Sequence, residues 1–260
     1  MLKKTTILIF GLLSFVVAFA QQQTQQSQSE QTQEEQVEVT VKIYRWAFSN
    51  KMVIPDMHGS GSKTQTVKVD QGDIDLHYKV GSDYRPLRIN SGTMSPAFEY
   101  KGPRTMVFYN KVKRVSLEGE EAKEEFSYEE VAKMILPLNV EQIFALMFKM
   151  GKKVRFYPMN VSPKQLPKER IAVLNMTSTN AAILVGGDAR VLRPGANAIY
   201  KPKSKKETSV KLQIARRINN KWTPVYNNNI STPKDQRCVI LLFDPYNKKT
   251  PRFSVQLLTL

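Results

Sequence analysis

The sequence predicts an all-β protein: two tandem immunoglobulin-like β-sandwich domains that follow a signal peptide and a disordered Gln-rich spacer. Three observations carry this. Apolar and polar residues alternate in many short runs, the period of a half-buried strand. Clusters of Gly, Asn, Asp and Pro separate those runs at close spacing, as turns do. A length of 260 residues allows one or two domains, each with a core of ordinary size.

The chain opens on Met1-Leu2-Lys3-Lys4, a short basic start. An almost wholly apolar run at 7–19 follows, and Ala18-Phe19-Ala20 puts small residues just ahead of polar Gln21. This is the pattern of a secretory signal peptide cut after Ala20. The run is shorter than the roughly 20 residues of a spanning helix. No cysteine lies near the cut, which argues against a lipid anchor. The Lys-Lys-Thr-Thr opening has a bacterial look, so the expected destination is the periplasm or the exterior. The next tract, 21–36, has nine Gln and three Glu among its sixteen residues and nothing apolar. It has no means of burying a core and is expected to be a disordered spacer.

A first sandwich is expected over 37–165. Val37, Val39, Val41 and Ile43 alternate with Glu38, Thr40 and Lys42. Further strands are expected at 64–69, 74–80, 87–90 and 105–109. Turns are expected around Gly59, Gly72, Gly81 and Gly102. The stretch 118–151 is open to two readings. Seven Glu fall within 118–130, and Ser127 with Glu130 and Asn139 with Gln142 resemble helix-start capping pairs. The alternative places strands at 131–136, 143–149 and 153–159, after an acidic insertion near 118–130 that could hold a short helix. The continuous apolar run at 143–148 suits a sandwich core, and strands from about 131 are preferred.

A second, basic sandwich is expected over 166–260. Its strands are expected at 171–176, 181–185, 198–200, 209–215, 239–243 and 253–258. Gly186-Gly187-Asp188, Pro194-Gly195 and Asn219-Asn220 read as its turns. A faint repeat links the halves. Tyr84-Arg85-Pro86, a loop and Arg104 before an apolar strand match Trp222-Thr223-Pro224, a loop and Arg237 before another.

Several segments carry a family resemblance. They are Arg170-Ile171-Ala172-Val173-Leu174-Asn175-Met176-Thr177, Val185-Gly186-Gly187, Leu192-Arg193-Pro194-Gly195, Leu212-Gln213-Ile214-Ala215, Trp222-Thr223-Pro224-Val225-Tyr226, and Arg237 leading to Leu241-Leu242-Phe243. Upstream, Ile135-Leu136-Pro137 and Phe144-Ala145-Leu146-Met147-Phe148 belong with them. Over roughly the second half, the chain resembles uncharacterised exported β-sandwich proteins of verrucomicrobial-type bacteria. The resemblance implies strands at 131–148 and supplies no activity and no catalytic positions.

Charge is the main functional signal. The chain carries +16, and residues 151–260 hold 21 Lys+Arg against 5 Asp+Glu, whereas residues 37–150 are nearly balanced. The densest clusters are Lys201, Lys203, Lys205 and Lys206, then Arg216 and Arg217, then Lys248, Lys249 and Arg252. These are the candidate contact residues for an anionic envelope polymer, a membrane surface met peripherally, or an acidic protein. The acidic run at 118–130 is another candidate partner, within the chain. No helix-turn-helix, zinc-finger or RNA-binding aromatic signature points to specific nucleic-acid recognition.

Catalytic signals are sparse, and no catalytic residue or cofactor is assigned. His58, Ser60 and Asp56 are too close in sequence to be read as a triad. Asp70, Asp73 and Asp75 suit a turn better than a Ca²⁺ loop. Cys238 sits in an apolar run and reads as a buried hydrophobe. Tyr44, Trp46, Trp222 and Tyr226 read first as core anchors and second as sugar-stacking faces. The expected function is a non-catalytic binding module. The rivals are a scaffold subunit of an exported complex and an envelope glycan-acting enzyme with an unrecognised carboxylate site. Mass analysis of the protein exported by a bacterial host should find a chain starting at Gln21. A membrane-retained chain keeping residues 1–20 would overturn the signal-peptide reading.

Overall fold

The computed structural model describes residues 35–47, 51–54, 65–68, 75–118, 121–151, 153–202, 209–233, 235–245 and 252–260. The expected signal peptide and nearly all of the spacer lie outside these residues. Strands, and no helix, make up the regular structure among them. The first half contains β1 (Gln36–Arg45), β2 (Lys51–Ile54), β3 (Gln65–Lys68), β4 (Leu76–Val80), β5 (Asp83–Leu87), β6 (Phe98–Pro103), β7 (Thr105–Glu118), β8 (Glu121–Ile135), β9 (Gln142–Met150) and β10 (Lys153–Asn160). The second half contains β11 (Ile171–Asn175), β12 (Ala181–Val185), β13 (Asp188–Leu192), β14 (Asn197–Tyr200), β15 (Ser209–Ile218), β16 (Lys221–Ser231), β17 (Cys238–Phe243) and β18 (Ser254–Thr259).

The all-β expectation holds. Four four-stranded sheets form, ordered β5-β4-β7-β8, β10-β9-β1-β6, β14-β11-β17-β18 and β13-β12-β15-β16, beside a β2–β3 pair. No four-stranded sheet mixes strands from the two halves. The expected boundary at 165/166 falls in the connection between β10 and β11. With β2 and β3 set aside, the halves share one topology: β1 and β4–β10 occupy the places that β11–β18 occupy in turn. The parallel pairing of β1 with β9 recurs as that of β11 with β17. The halves therefore repeat a topology, and the segments matched in the sequence do not occupy equivalent places in it. The Tyr84 and Arg104 segments lie on β5 and before β7, whereas the Trp222 and Arg237 segments lie on β16 and before β17.

The connectivity also differs from the immunoglobulin one. An immunoglobulin domain sets its first, second, fourth and fifth strands against the third, sixth and seventh. Here the first, fourth, seventh and eighth strands of each half share one sheet.

Each half encloses its own core, and a third core lies between them. On β9, Ile143, Ala145 and Met147 pack with Leu76, Met106, Phe108 and Met134 of the first outer sheet. On β17, Cys238, Ile240 and Leu242 pack with Ile183, Leu212 and Ile214 of the second outer sheet. The alternate residues of the same strands point the other way. Phe144, Leu146 and Phe148 of β9 meet Val239, Leu241 and Phe243 of β17, with Ala172 and Leu174 of β11 in the same layer. Trp46, 2% exposed, brings its ring to 3.5 Å from that of Phe243. Two-sided burial explains why 143–148 and 238–243 are continuous apolar runs and not alternating ones. Polar bonds flank this layer. The Arg237 guanidinium donates to the Val161 carbonyl and to the Gln142 side chain. The Tyr157 hydroxyl donates to the Gly195 carbonyl at 3.0 Å.

The helical reading of 118–130 is corrected. β7 and β8 form one long antiparallel hairpin, and only Phe108, Tyr109 and Asn110 of β7 also pair with β4. The described part of the Glu-rich run is therefore strand, in register with β7: Glu125 lies opposite Arg114, whereas Lys113 and Lys111 lie opposite Phe126 and Tyr128. Asn139 adopts φ 55° in a loop and does not cap a helix.

Other differences have a common cause. The strand expected at 87–90 begins at Leu87, where β5 ends, and the sequence reads β5, β6 and β16 as turns or loops. Each contains a proline: Pro86, Pro103 and Pro224. Pro158 of β10 is the fourth strand proline among the described residues, and all four strands are sheet edges. Proline lacks the N–H that a central strand must donate, and an edge strand does not need it. The two-residue turns are as expected. Asn219 and Asn220 both take positive φ (48° and 62°), the geometry that matches strand twist in a tight hairpin.

Truncating the shared layer tests its weight. Leu174→Ala and Leu241→Ala, both fully buried, should each cost about 2–5 kcal/mol. The wild type should show one urea transition by circular dichroism and by Trp fluorescence. Separate transitions for the halves would show that the layer does not couple them.

Candidate interaction face of the basic half

The second outer sheet, β13-β12-β15-β16, turns Ile183, Val210, Leu212 and Ile214 into its core. Strand alternation then sends the residues between them outward. Cross-strand register aligns these outward residues in rows. Val191, Ala182, Ala215 and Pro224 form one row, and Ala189, Leu184, Gln213 and Asn227 form the next. The Gln213 side chain donates to Asn227 Oδ1 at 3.1 Å. Arg217 pairs with Trp222 beyond the first row, and Lys211 with Asn229 beyond the second. Val225 is the extra residue of a bulge opposite Ile214 and Ala215. It turns into the core, which frees Pro224 to complete the outer row.

The result is a shallow trough of about 540 Å³, with small alanines as its floor. Val191 is 56% exposed and Trp222 44% exposed. An antiparallel sheet normally presents polar residues to water. Here the outward side chains of β12 and β13 are all aliphatic. No outward position on the four strands carries a carboxylate, and Lys211 and Arg217 flank the two rows, the second of which ends in the bonded pair Gln213 and Asn227.

The residues singled out from sequence divide sharply. Arg216 and Arg217 are neighbours in the chain and lie on opposite faces. Arg217 is exposed on the outer face. Arg216 points inward and sits over the Phe253 ring at 5.9 Å. It is a cation at the margin of the core and not a free contact residue. Lys201 is exposed after β14, and its backbone N–H donates to Asp188 Oδ2 at 3.1 Å. Arg252 is exposed ahead of β18. Lys203, Lys205, Lys206, Lys248 and Lys249 lie outside the described residues, as do Asp56, His58, Ser60, Asp70 and Asp73.

Tyr44 and Trp46 are core residues, as the first reading had them. Tyr226 packs partly against the core of the second half, and Trp222 does not join a core. Lys211, Val191 and the two alanines were missed. The signal that could have found them is strand parity: once Val210, Leu212 and Ile214 point in, Lys211, Ala215 and Arg217 must point out.

The corresponding face of the first sandwich is filled. His77, Tyr84, Tyr109 and Tyr128 gather on it. The rings of Tyr84 and Tyr128 stack at 3.8 Å, and Tyr109 meets Tyr84 edge-on. Lys79 lies over Tyr84 at 5.6 Å, so little ring face remains for a sugar. Asp75 approaches His77 Nδ1 at 3.7 Å, beyond hydrogen-bond range. No group of three His, Cys, Asp or Glu side chains suited to a metal occurs among the described residues. Asn175, which opens an Asn-Met-Thr glycosylation sequon, is fully buried and donates to the Thr179 and Leu192 carbonyls. It is a structural residue.

Against protein-family models and curated proteins, the chain has no match.

One titratable pair supports the margin of this sheet. Asp188 accepts hydrogen bonds from Arg190 at 3.3 and 3.1 Å, and these hold its carboxyl below its ordinary 3.8. The Lys201 backbone N–H adds to the effect. A depressed folded pKa stabilises the protein above the unfolded value, and the contribution fades as pH falls through the folded one. Asp188→Asn should therefore lower the urea midpoint at neutral pH. It should also shrink the drop in midpoint between about pH 5 and about pH 3. An unchanged acid limb would show that the pair carries no stability.

Proposed function

We propose that this protein is an exported, non-catalytic interaction module whose basic second sandwich contacts an acidic partner. The observation that carries this reading is the outer face of β13-β12-β15-β16, where Lys211 and Arg217 flank an aliphatic surface without carboxylates. The excess of cations in 151–260 supports the choice of an anionic partner, because a surface of one sign repels itself unless a partner or counterions screen it. The signal-peptide pattern supports placing that partner outside the cytoplasm.

An acidic protein is favoured over a bare polyanion. A phosphate or sugar polymer has no use for exposed Val191 and Trp222, whereas protein interfaces bury apolar residues at their centre and leave charge at the rim.

The test is retention of the mature protein on lipopolysaccharide, anionic vesicles, peptidoglycan, acidic polysaccharide, DNA and an acidic protein surface, at low and at physiological salt. Retention on the acidic protein should persist at physiological salt, and Lys211→Glu with Arg217→Glu should weaken it about tenfold. Uniform binding to every polymer that vanishes at physiological salt would mean nonspecific charge and would overturn the proposal.

A further inference from the structure

We infer that the trough on the second outer sheet is a docking site for an acidic polypeptide segment that inserts apolar side chains between its carboxylates. The inference rests on the reading of the basic half as an interaction module, and it assigns that module a site and an occupant.

The shape of the trough argues for side-chain insertion. Two adjacent alanines, Ala182 and Ala215, form a low floor between Val191 and Pro224. The space above them, about 540 Å³, is of a size that holds apolar side chains. A lipid surface would require the reverse relief, with apolar side chains projecting outward into the bilayer. Charge selects the occupant. Lys211 and Arg217 lie six residues apart on β15, about 20 Å along an extended strand. A segment crossing the trough can therefore meet a cation at each end. A second copy of this chain would bring the same cations to the same face and would be repelled. The 21–36 tract offers Glu residues but no apolar side chain to fill the floor.

The protein contains its own reporter. It has two tryptophans: Trp46 is buried, and Trp222 is exposed beside Arg217 at the margin of the trough. The probes are three synthetic nine-residue peptides of alternating composition: Glu with Leu, Glu with Gly, and Lys with Leu. The full-length mature protein should bind the Glu–Leu peptide with a blue shift of Trp222 emission. The Glu–Gly peptide, of equal charge, should bind at least about tenfold more weakly, and the Lys–Leu peptide should not bind. Ala182→Phe, which fills the floor, should abolish Glu–Leu binding. Val191→Asp, on an exposed position that the fold does not need, should weaken it about tenfold as well.

Equal binding of the Glu–Leu and Glu–Gly peptides, unaffected by either variant, would overturn the trough as a site. The charge-based reading of the module would survive that result. Binding of neither acidic peptide also overturns the inference. If the acidic surface of the previous test fails as well, the parent reading falls with it.

Discussion

Strands β9 and β17 are buried on both faces, and the apolar layer between them joins two sandwiches into a single four-sheet stack. Every other feature follows from that arrangement. A sheet that packs on both sides cannot present an outer face, so each half is left with one outer sheet. The stacking distance of about 10 Å per sheet sets the two outer sheets about 30 Å apart. Whatever one of them binds, the other does not touch. The half-buried Arg237 guanidinium donates to the Val161 carbonyl and the Gln142 side chain at the margin of the layer, tying the segment before β17 to the first half.

The repeated topology sets corresponding strands on the two sides of the docking layer. β9 and β17 are equivalent strands of the two copies, as are β1 and β11. The docking surface is therefore nearly the same strand pair from each side, with Phe144, Leu146 and Phe148 answering Val239, Leu241 and Phe243. The aromatic side chains come largely from the first copy and the branched aliphatic ones from the second. Large rings against branched chains interdigitate better than two identical faces would.

Much of this was legible from strand period alone. The runs at 143–148 and 238–243 announced buried strands, and the turns at Gly81, Gly186 and Asn219 were read from residues that tolerate positive φ. Three things were not legible. Proline hid β5, β6 and β16, because a local reading cannot tell an edge strand from a loop. Glutamate hid the start of β8, because its helical preference is local, whereas its pairing with β7 is decided by chain that has already folded back. The split between Arg216 and Arg217 was obscured by treating adjacent cations as one cluster. Parity along β15 separates them: Leu212 and Ile214 set the inward phase, Arg216 follows it, and Arg217 does not.

The contrast between the two outer faces is the strongest argument that the second has a task. Equivalent positions in a duplicated fold begin under the same physical demands. On the first outer sheet, His77, Tyr84, Tyr109 and Tyr128 cover one another and Lys79 covers Tyr84, while Phe126 farther along β8 stays 53% exposed beneath Lys111. On the second, small residues occupy the centre of the sheet, no aromatic side chain folds over them, and the available tryptophan stands aside at the margin. Water would favour either polar residues or a self-covering cluster at these positions. An uncovered aliphatic floor with cations at both ends satisfies neither preference while the protein is alone, and the proposed acidic, apolar segment would cover it.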